Sequence, residues 1–356
     1  MATRSTDRSQ KSISDEIDRG VRWTQAIGYP FHQFQMTSIA ARNAAEISQR
    51  GRLRSASAQM LFEGSIKFTL VGLTLLSVLT TVAIIAVLIE ETVGFFTMAD
   101  HPEISVWNFF TGTEWSPLLG AQPLFGVLPL ISGTLLVTAI AGIFAMPVGL
   151  LTAVFLSEYA SPRTRTILKS VLEVLAGVPT VVYGFFALTF ITPYLLQPLS
   201  ESFGTYNAMG AGIAVGIMIL PIVCSLSEDA LRAVPHSLRD GAYALGATKF
   251  DVTAKVVIPA GLSGVVAAFL LALTRAIGET MIVALAAGGL AQLTANPSQQ
   301  VQTMTAYMVQ IFLGDAPAAG VEYRSSYAVA FTLFLITFLM TWTGAIILKR
   351  YREEYD

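Results

Sequence analysis

Long uncharged runs alternate with short polar segments along this chain, and the runs exceed what a soluble helix needs. Phe68–Ile89 holds 22 residues without a charge, enough to cross a hydrocarbon core of about 30 Å at about 1.5 Å of rise per residue. Five further apolar runs follow: within Phe125–Phe155, about Ile167–Leu196 with Glu173 near its start and Pro179 inside, about Asn207–Leu226 with a kink expected at Pro221, about Gly261–Gly289, and Tyr327–Leu348. The pattern predicts six transmembrane helices. It also predicts three regions: a polar N-terminal extension over 1–65, partly disordered up to about Asp18; a six-helix transmembrane domain over 66–350; and a tail over 351–356. Within the extension, Trp23, Ile27, Phe31 and Phe34 recur at roughly helical spacing, which suggests an amphipathic segment on the membrane surface. Residues 91–124, 227–259 and 291–325 read as polar connections.

Composition agrees with a membrane protein. Of the 356 residues, 53% are hydrophobic and 13% charged, against about 25% charged in soluble domains; the mean hydropathy is +0.61. The positions of Lys and Arg set the orientation, because positive residues stay on the cytoplasmic side. Residues 1–65 carry nine of them; Arg163, Arg165 and Lys169 follow the second span, Arg232, Arg239, Lys249 and Lys255 lie in or beside the 227–259 segment, and Lys349, Arg350 and Arg352 follow the sixth span. The opposite-side segments hold only Arg324. Both termini and the central segment are therefore expected in the cytoplasm, with the protein multi-pass in its membrane. With residues 1–65 polar, no N-terminal signal peptide is read, and the first span acts as its own uncleaved signal. The single cysteine, Cys224, excludes a cysteine metal cage and reads as a small buried hydrophobe. Gly212 and Gly216 form a small-residue pair suited to close helix packing.

The stretch Ser237–Gly289 departs from simple span-and-loop alternation. Ser237 stands three residues before Asp240, and Thr248 three before Asp251, two matches to a capping box. Gly246 lies between them, where a left-handed C-terminal cap is expected, and Pro259 marks the passage into the fifth span. Two short helices joined by a glycine turn are thus predicted on the cytoplasmic side, a form suited to receiving force from a partner. Beyond it, Arg275 and Glu279 fall inside an apolar run, where an ionised side chain costs about 2.5–3.5 kcal/mol. If the helix is continuous, the two lie on one face about 6 Å apart along the axis and partly neutralise each other. A guanidinium presents a fork of donors suited to anion oxygens, so this face is read as a path for an anion, with Glu173 as a further candidate. No GxxxxGK[ST] occurs, which leaves nucleotide chemistry to a separate subunit.

The central segment resembles the cytoplasmic signature loop of ABC-importer permeases, whose pattern is E-A-A, then G after a gap of three, then I-x-L-P after a gap of nine. Here Asp240, Gly241, Ala242, Gly246, Val256, Ile258 and Pro259 occupy those positions. Asp replaces Glu, Gly the first Ala, Val the Ile and Ile the Leu. The strings VLEVLAGVPTVVYGFFAL (171–188), FGVLPLISGTLL (125–136) and RAIGETM (275–281) are similar to the phosphate-specific members, the PstC/PstA pair, and the likeness runs from about Trp107 to Tyr351. Length and the polar segment before the second span favour the PstC type. The resemblance implies an all-α polytopic fold of the type I ABC importer permease class, phosphate as solute, and docking of the signature loop into a groove on the ATPase. It also implies a PstA-like second permease, a PstB-like ATPase dimer and an extracytoplasmic PstS-like phosphate-binding protein. No cofactor, metal or nucleic acid is expected, and membrane lipid surrounds the spans.

Alternatives stay open at this point. An Arg fork does not distinguish phosphate from sulfate, molybdate or phosphonate. A membrane-embedded enzyme needs a nucleophile with its base, paired acids or a metal cluster within the spans; His32, His101 and His236 all fall in predicted loops. An autonomous channel leaves the doubly capped central segment without a purpose.

Overall fold

A run of apolar residues becomes one straight span only if nothing in it interrupts the backbone ladder, and that condition sorts the six predicted spans. The computed structural model describes residues 56–98, 104–117, 123–314 and 320–351; the amphipathic segment, His32, His101 and the tail beyond Tyr351 lie outside them. Four helices are long and apolar enough to cross a membrane on their own: Gly64–Phe96, Leu128–Tyr159, Ala208–Ala233 and Val321–Ile346. Two further pairs are bent, by 90° between Pro162–Ala176 and Thr180–Leu196 and by 66° between Lys249–Ala260 and Leu262–Ile277. Counting each bent pair as one span gives six.

The chain divides into two compact units, residues 1–82 and 83–356. Helix α1, Ala56–Phe96, begins before the first uncharged run, and its membrane-length part is Gly64–Phe96. In the first unit its side chains from Phe68 to Val82 are exposed and mostly apolar, as lipid-facing residues are.

The second unit opens with the end of α1. Its Phe95 starts an aromatic cluster with Phe109, Trp115, Phe125 and Tyr307, in edge-to-face pairs at 4.9–6.2 Å, the preferred geometry for ring quadrupoles. The cluster orders a segment expected to be a plain connection: α2 (Val106–Thr111), capped by Ser105, and a short hairpin pairing β1 (Trp115–Ser116) with β2 (Leu124–Phe125). Helix α3, Leu128–Val154, follows and widens into a π-helical turn over Phe155–Tyr159.

The third predicted span is not continuous. Helix α4, Pro162–Ala176, stops at Gly177, and Pro179 starts α5, Thr180–Phe186, which runs on as a π-helix over Ala187–Leu196. Proline restricts the residue before it to extended backbone and supplies no N–H, so Pro179 ends one helix and opens the next. The Tyr183 hydroxyl donates to the Leu175 carbonyl at 2.6 Å across the break.

Helix α6, Ala208–Ala233, is the central post. Buried Asn207 caps it, accepting from the Gly210 amide at 2.7 Å and donating to the Gly204 carbonyl. Gly212 and Gly216 pack against α3 as expected: a Cβ on Gly212 would sit 2.6 Å from Ile140, and one on Gly216 2.8 Å from Phe144. Lower on the same pair, a Cβ on Gly149 would meet Val223 at 2.5 Å. Pro221 is accommodated inside the helix, and Cys224 is buried as expected.

Helices α7 (His236–Ala244) and α8 (Lys249–Val252) make up the central segment; α8 continues through a π-turn, Thr253–Val257, and a last turn, Ile258–Ala260. Helix α9, Leu262–Ile277, ends at Gly278, and α10 is Met281–Ala286. Sixteen residues span about 24 Å, less than a hydrocarbon core, so the fifth predicted span is a helix, a break and a short second helix. The polar connection expected over 291–325 contains a further helix, α11, Met304–Leu313, and α12 is Val321–Tyr351. Apolar residues of α3, α5, α6, α9 and α10 make the main core.

Candidate functional site

Two places carry the predicted chemistry, and α6 connects them. At its C-terminal end lies the α7–α8 segment. Gly246 has φ +81; its amide donates to the Tyr243 carbonyl at 2.9 Å and the Ala247 amide to the Ala242 carbonyl at 3.2 Å. These two bonds close a Schellman motif, which uses the last carbonyls of α7 and requires a left-handed residue where glycine stands. Thr248 then caps α8 by accepting from the Asp251 amide at 3.2 Å while its hydroxyl donates to the Asp251 carboxylate at 2.6 Å. Lys255 completes the set at 2.7 Å. Lys255 and the Thr248 hydroxyl hold the Asp251 carboxyl down at about 2.

The other expected cap is absent. Helix α7 starts at His236 with Pro235 as its N-cap and no side-chain cap bond. Proline has φ −55 and ψ 139, which leads directly into helical backbone, so Ser237 falls inside the helix and Asp240 is exposed one turn on. Gly241 is exposed with open space where a Cβ would be. Leu238, Tyr243, Leu245 and Phe250 are exposed too, Leu245 at 90% and Phe250 at 71%. Large apolar side chains gathered on an otherwise polar surface mark a protein-binding site.

The second place is the break between α9 and α10. Arg275 and Glu279 are not an ion pair on one face, because the helix ends at Ile277 before a second turn is completed. Gly278 supplies the helix end, and Glu279 folds back. Its buried carboxylate accepts from the Met281 amide at 3.1 Å and the Ile282 amide at 3.3 Å, capping α10. The Glu279 carbonyl accepts from the Thr305 hydroxyl of α11 at 2.6 Å. Glutamate thus supplies the negative charge that free N–H groups at a helix start favour. Arg275 is exposed in the last turn of α9, at the edge of the buried Val265, Ala268 and Ala272 face. It makes no hydrogen bond or ion pair among the described residues. Glu173 lies apart, exposed on α4 in a cleft with Lys169, Pro221 and Ser225 whose lining includes neither Arg275 nor Glu279.

Sequence reading counted several charges at the inner end only as orientation signals. Arg239 is the one buried residue of α7. Its guanidinium donates to the Val234 carbonyl at 2.6 Å, the Leu231 carbonyl at 2.8 Å and the Glu158 carboxylate at 3.2 Å. Glu228 of α6, fully buried, pairs with Arg165 at 2.6 Å and Lys169 at 2.5 Å of α4. The signal was available in part: Glu228 sits in the apolar face pattern of α6, where an acid demands a partner.

Residues 145–353 match the family model for the binding-protein-dependent transport system inner membrane component. The chain is 35% identical over 249 residues to the probable ABC transporter permease protein YqgH of Bacillus subtilis, covering 70% of this chain and 78% of that one. It is 33% identical over 262 residues to the phosphate transport system permease protein PstC of Xylella fastidiosa, and 34% over 263 to that of Mesorhizobium japonicum; each match covers 68% of this chain and 79% of the relative. Among solved structures, a bacterial ABC transporter that imports the acidic polysaccharide alginate superposes with a TM-score of 0.55 over 82% of this chain and 99% of that one. At 14% identity that likeness speaks for the fold.

Proposed function

The chain belongs to the family of binding-protein-dependent transport system inner membrane components, and from that premise we propose that it imports inorganic phosphate as one half of a two-permease pathway. It is a permease subunit of the ABC importer class, not an enzyme, and ATP is hydrolysed on a separate subunit. Phosphate as the solute rests on the relatives named PstC that match about two thirds of the chain. The partners we propose are a PstA-like permease across the pathway, a PstB-like ATPase dimer on the exposed apolar side chains of α7 and α8, and a PstS-like binding protein outside.

The observation that carries the reading is Arg275. An unpaired guanidinium inside an apolar span costs about 2.5–3.5 kcal/mol, and Arg275 finds no counter-charge among the described residues. In this reading the counter-charge is a passing anion, which the planar fork can hold through two parallel hydrogen bonds. Because Glu279 is committed to the α10 backbone, it does not neutralise the arginine. Its part in this reading is to hold the helix break open beside the pathway. Glu173, exposed on α4 in a cleft that includes neither Arg275 nor Glu279, is not used in this reading of the pathway.

The test is uptake of labelled phosphate into proteoliposomes holding the full complex with its binding protein. Arg275→Gln is expected to lower uptake about tenfold to a hundredfold, the loss of a charge-assisted hydrogen bond of about 1.5–3 kcal/mol, while the ATPase still co-purifies. Near-normal uptake by Arg275→Gln overturns the pathway role. Unlabelled phosphate should compete with the label and excess sulfate or molybdate should not; equal competition by sulfate moves the assignment to another oxyanion.

A further inference from the structure

How displacement of α7 reaches the membrane helices is a question of attachment. Along α7, Ser237, Leu238, Asp240, Gly241, Tyr243 and Ala244 are exposed, and Arg239 alone is buried. Resting on the function proposed above, we propose that Arg239 is the positioning residue through which movement of α7 is transmitted to α3 and α6. Its guanidinium reaches both helices at once. Two of its bonds go to Leu231 and Val234, carbonyls at the C-terminal end of α6, where the last carbonyls lack intrahelical partners and the helix dipole favours a cation. The third goes to Glu158 in the π-turn that ends α3. The Ser157 hydroxyl donates to the same Glu158 oxygen at 2.8 Å and fixes its direction.

What receives the push moves as one piece. Gly149, Gly212 and Gly216 bring α3 and α6 into backbone-level contact along their length, and α6 is pinned to α4 through the Glu228 ion pairs with Arg165 and Lys169. The far end of α6 meets the segment that follows Arg275: the Asn207 amide donates to the Ala286 carbonyl of α10 at 3.2 Å, and the Ala208 amide to the Gln299 carbonyl at 2.9 Å. A shift of α6 therefore acts directly on the end of α10, the short helix that follows the break. The neighbouring α8 has a different attachment, through buried Val252, Thr253 and Val257. It anchors the segment by apolar packing, which tolerates sliding, whereas a forked guanidinium with three bonds fixes direction.

The experiment reads phosphate imported per ATP hydrolysed in proteoliposomes of the complete complex. Arg239→Ala is expected to keep ATPase co-purification and basal hydrolysis at wild-type levels while import per ATP falls about tenfold, in line with losing a hydrogen-bonded buried charge. Glu158→Gln removes one leg only and should lower the ratio less. Arg239→Lys keeps the charge but cannot span all three acceptors, and should fall between wild type and alanine. An unchanged ratio in Arg239→Ala overturns the proposal. Loss of ATPase binding in that variant also overturns it, since Arg239 would then belong to the docking surface. If the wild-type complex transports another oxyanion instead, the phosphate reading fails, yet the ratio measured with that solute still decides on Arg239.

Discussion

Gly246 isolates backbone conformation from packing at the coupling segment, because its φ is +81 and nothing lies within 4 Å of where a Cβ would be. Any substitution there meets no neighbour, so its whole cost is conformational. A left-handed residue with a side chain costs about 1–2 kcal/mol relative to glycine, with alanine near the lower end and β-branched valine at or above the upper one. Asparagine tolerates this region because its short polar side chain bonds locally. A cost of 1.4 kcal/mol is a factor of ten in a local equilibrium. The permease, whose stability as a domain is about 5–15 kcal/mol, still folds. The two Schellman bonds from Gly246 and Ala247 loosen instead, and the angle between α7 and α8 is no longer fixed. Phosphate-stimulated ATP hydrolysis and uptake in proteoliposomes should therefore rank wild type, Gly246→Asn, Gly246→Ala, Gly246→Val, with valine down about tenfold or more and assembly with the ATPase intact. Valine at wild-type activity would refute the reasoning. So would asparagine no better than alanine, since that would mean the left-handed conformation is not what matters.

Two further outcomes probe other parts of the argument. Gly216→Ala places a methyl 2.8 Å from Phe144 and 3.1 Å from the Ala141 carbonyl, and should destabilise the α3–α6 pair by about 1–3 kcal/mol; thermal unfolding of the purified permease, compared with Gly72→Ala at an open position, checks this. The Asp251 carboxyl is held at about 2 against an ordinary 3.8, so its contribution to the α8 cap is fully present above about pH 4. It is lost as pH falls toward 2, because the unfolded segment takes up its proton first. Amide exchange protection over 249–256 should fall across that interval in the wild type and stay flat in Asp251→Asn.

The hydrophobic pattern was sufficient for the four straight crossings, and for six if each bent pair is one span, because length and the absence of charge are local properties of a run. Local signals also placed the Gly246 turn, the Thr248 cap and the small-residue contact of Gly212 and Gly216, each of which depends on residues a few positions apart. The Ser237 cap was misread for an equally local reason: Pro235 already begins the helix. Other features were not legible in this way. The break at Gly278 looks like a tolerable glycine in an apolar helix. It becomes a helix end because Glu279 finds the α10 amides and Thr305, a partner 26 residues on, secures its carbonyl. The third span's bend at Pro179 was not legible either, and it leaves Glu173 in a cleft whose lining does not include Arg275. Arg239 read only as a side-marking charge in the sequence, and Glu158 and Glu228 carried no role there, since the partners of Arg239 and Glu228 lie up to 81 residues away. The sequence by itself determined where the chain crosses, which way it faces and where it turns. Only the tertiary structure decided which charges are paired. A buried charge is satisfied by whatever the fold brings to it, whereas the exposed Arg275 has no partner among the described residues.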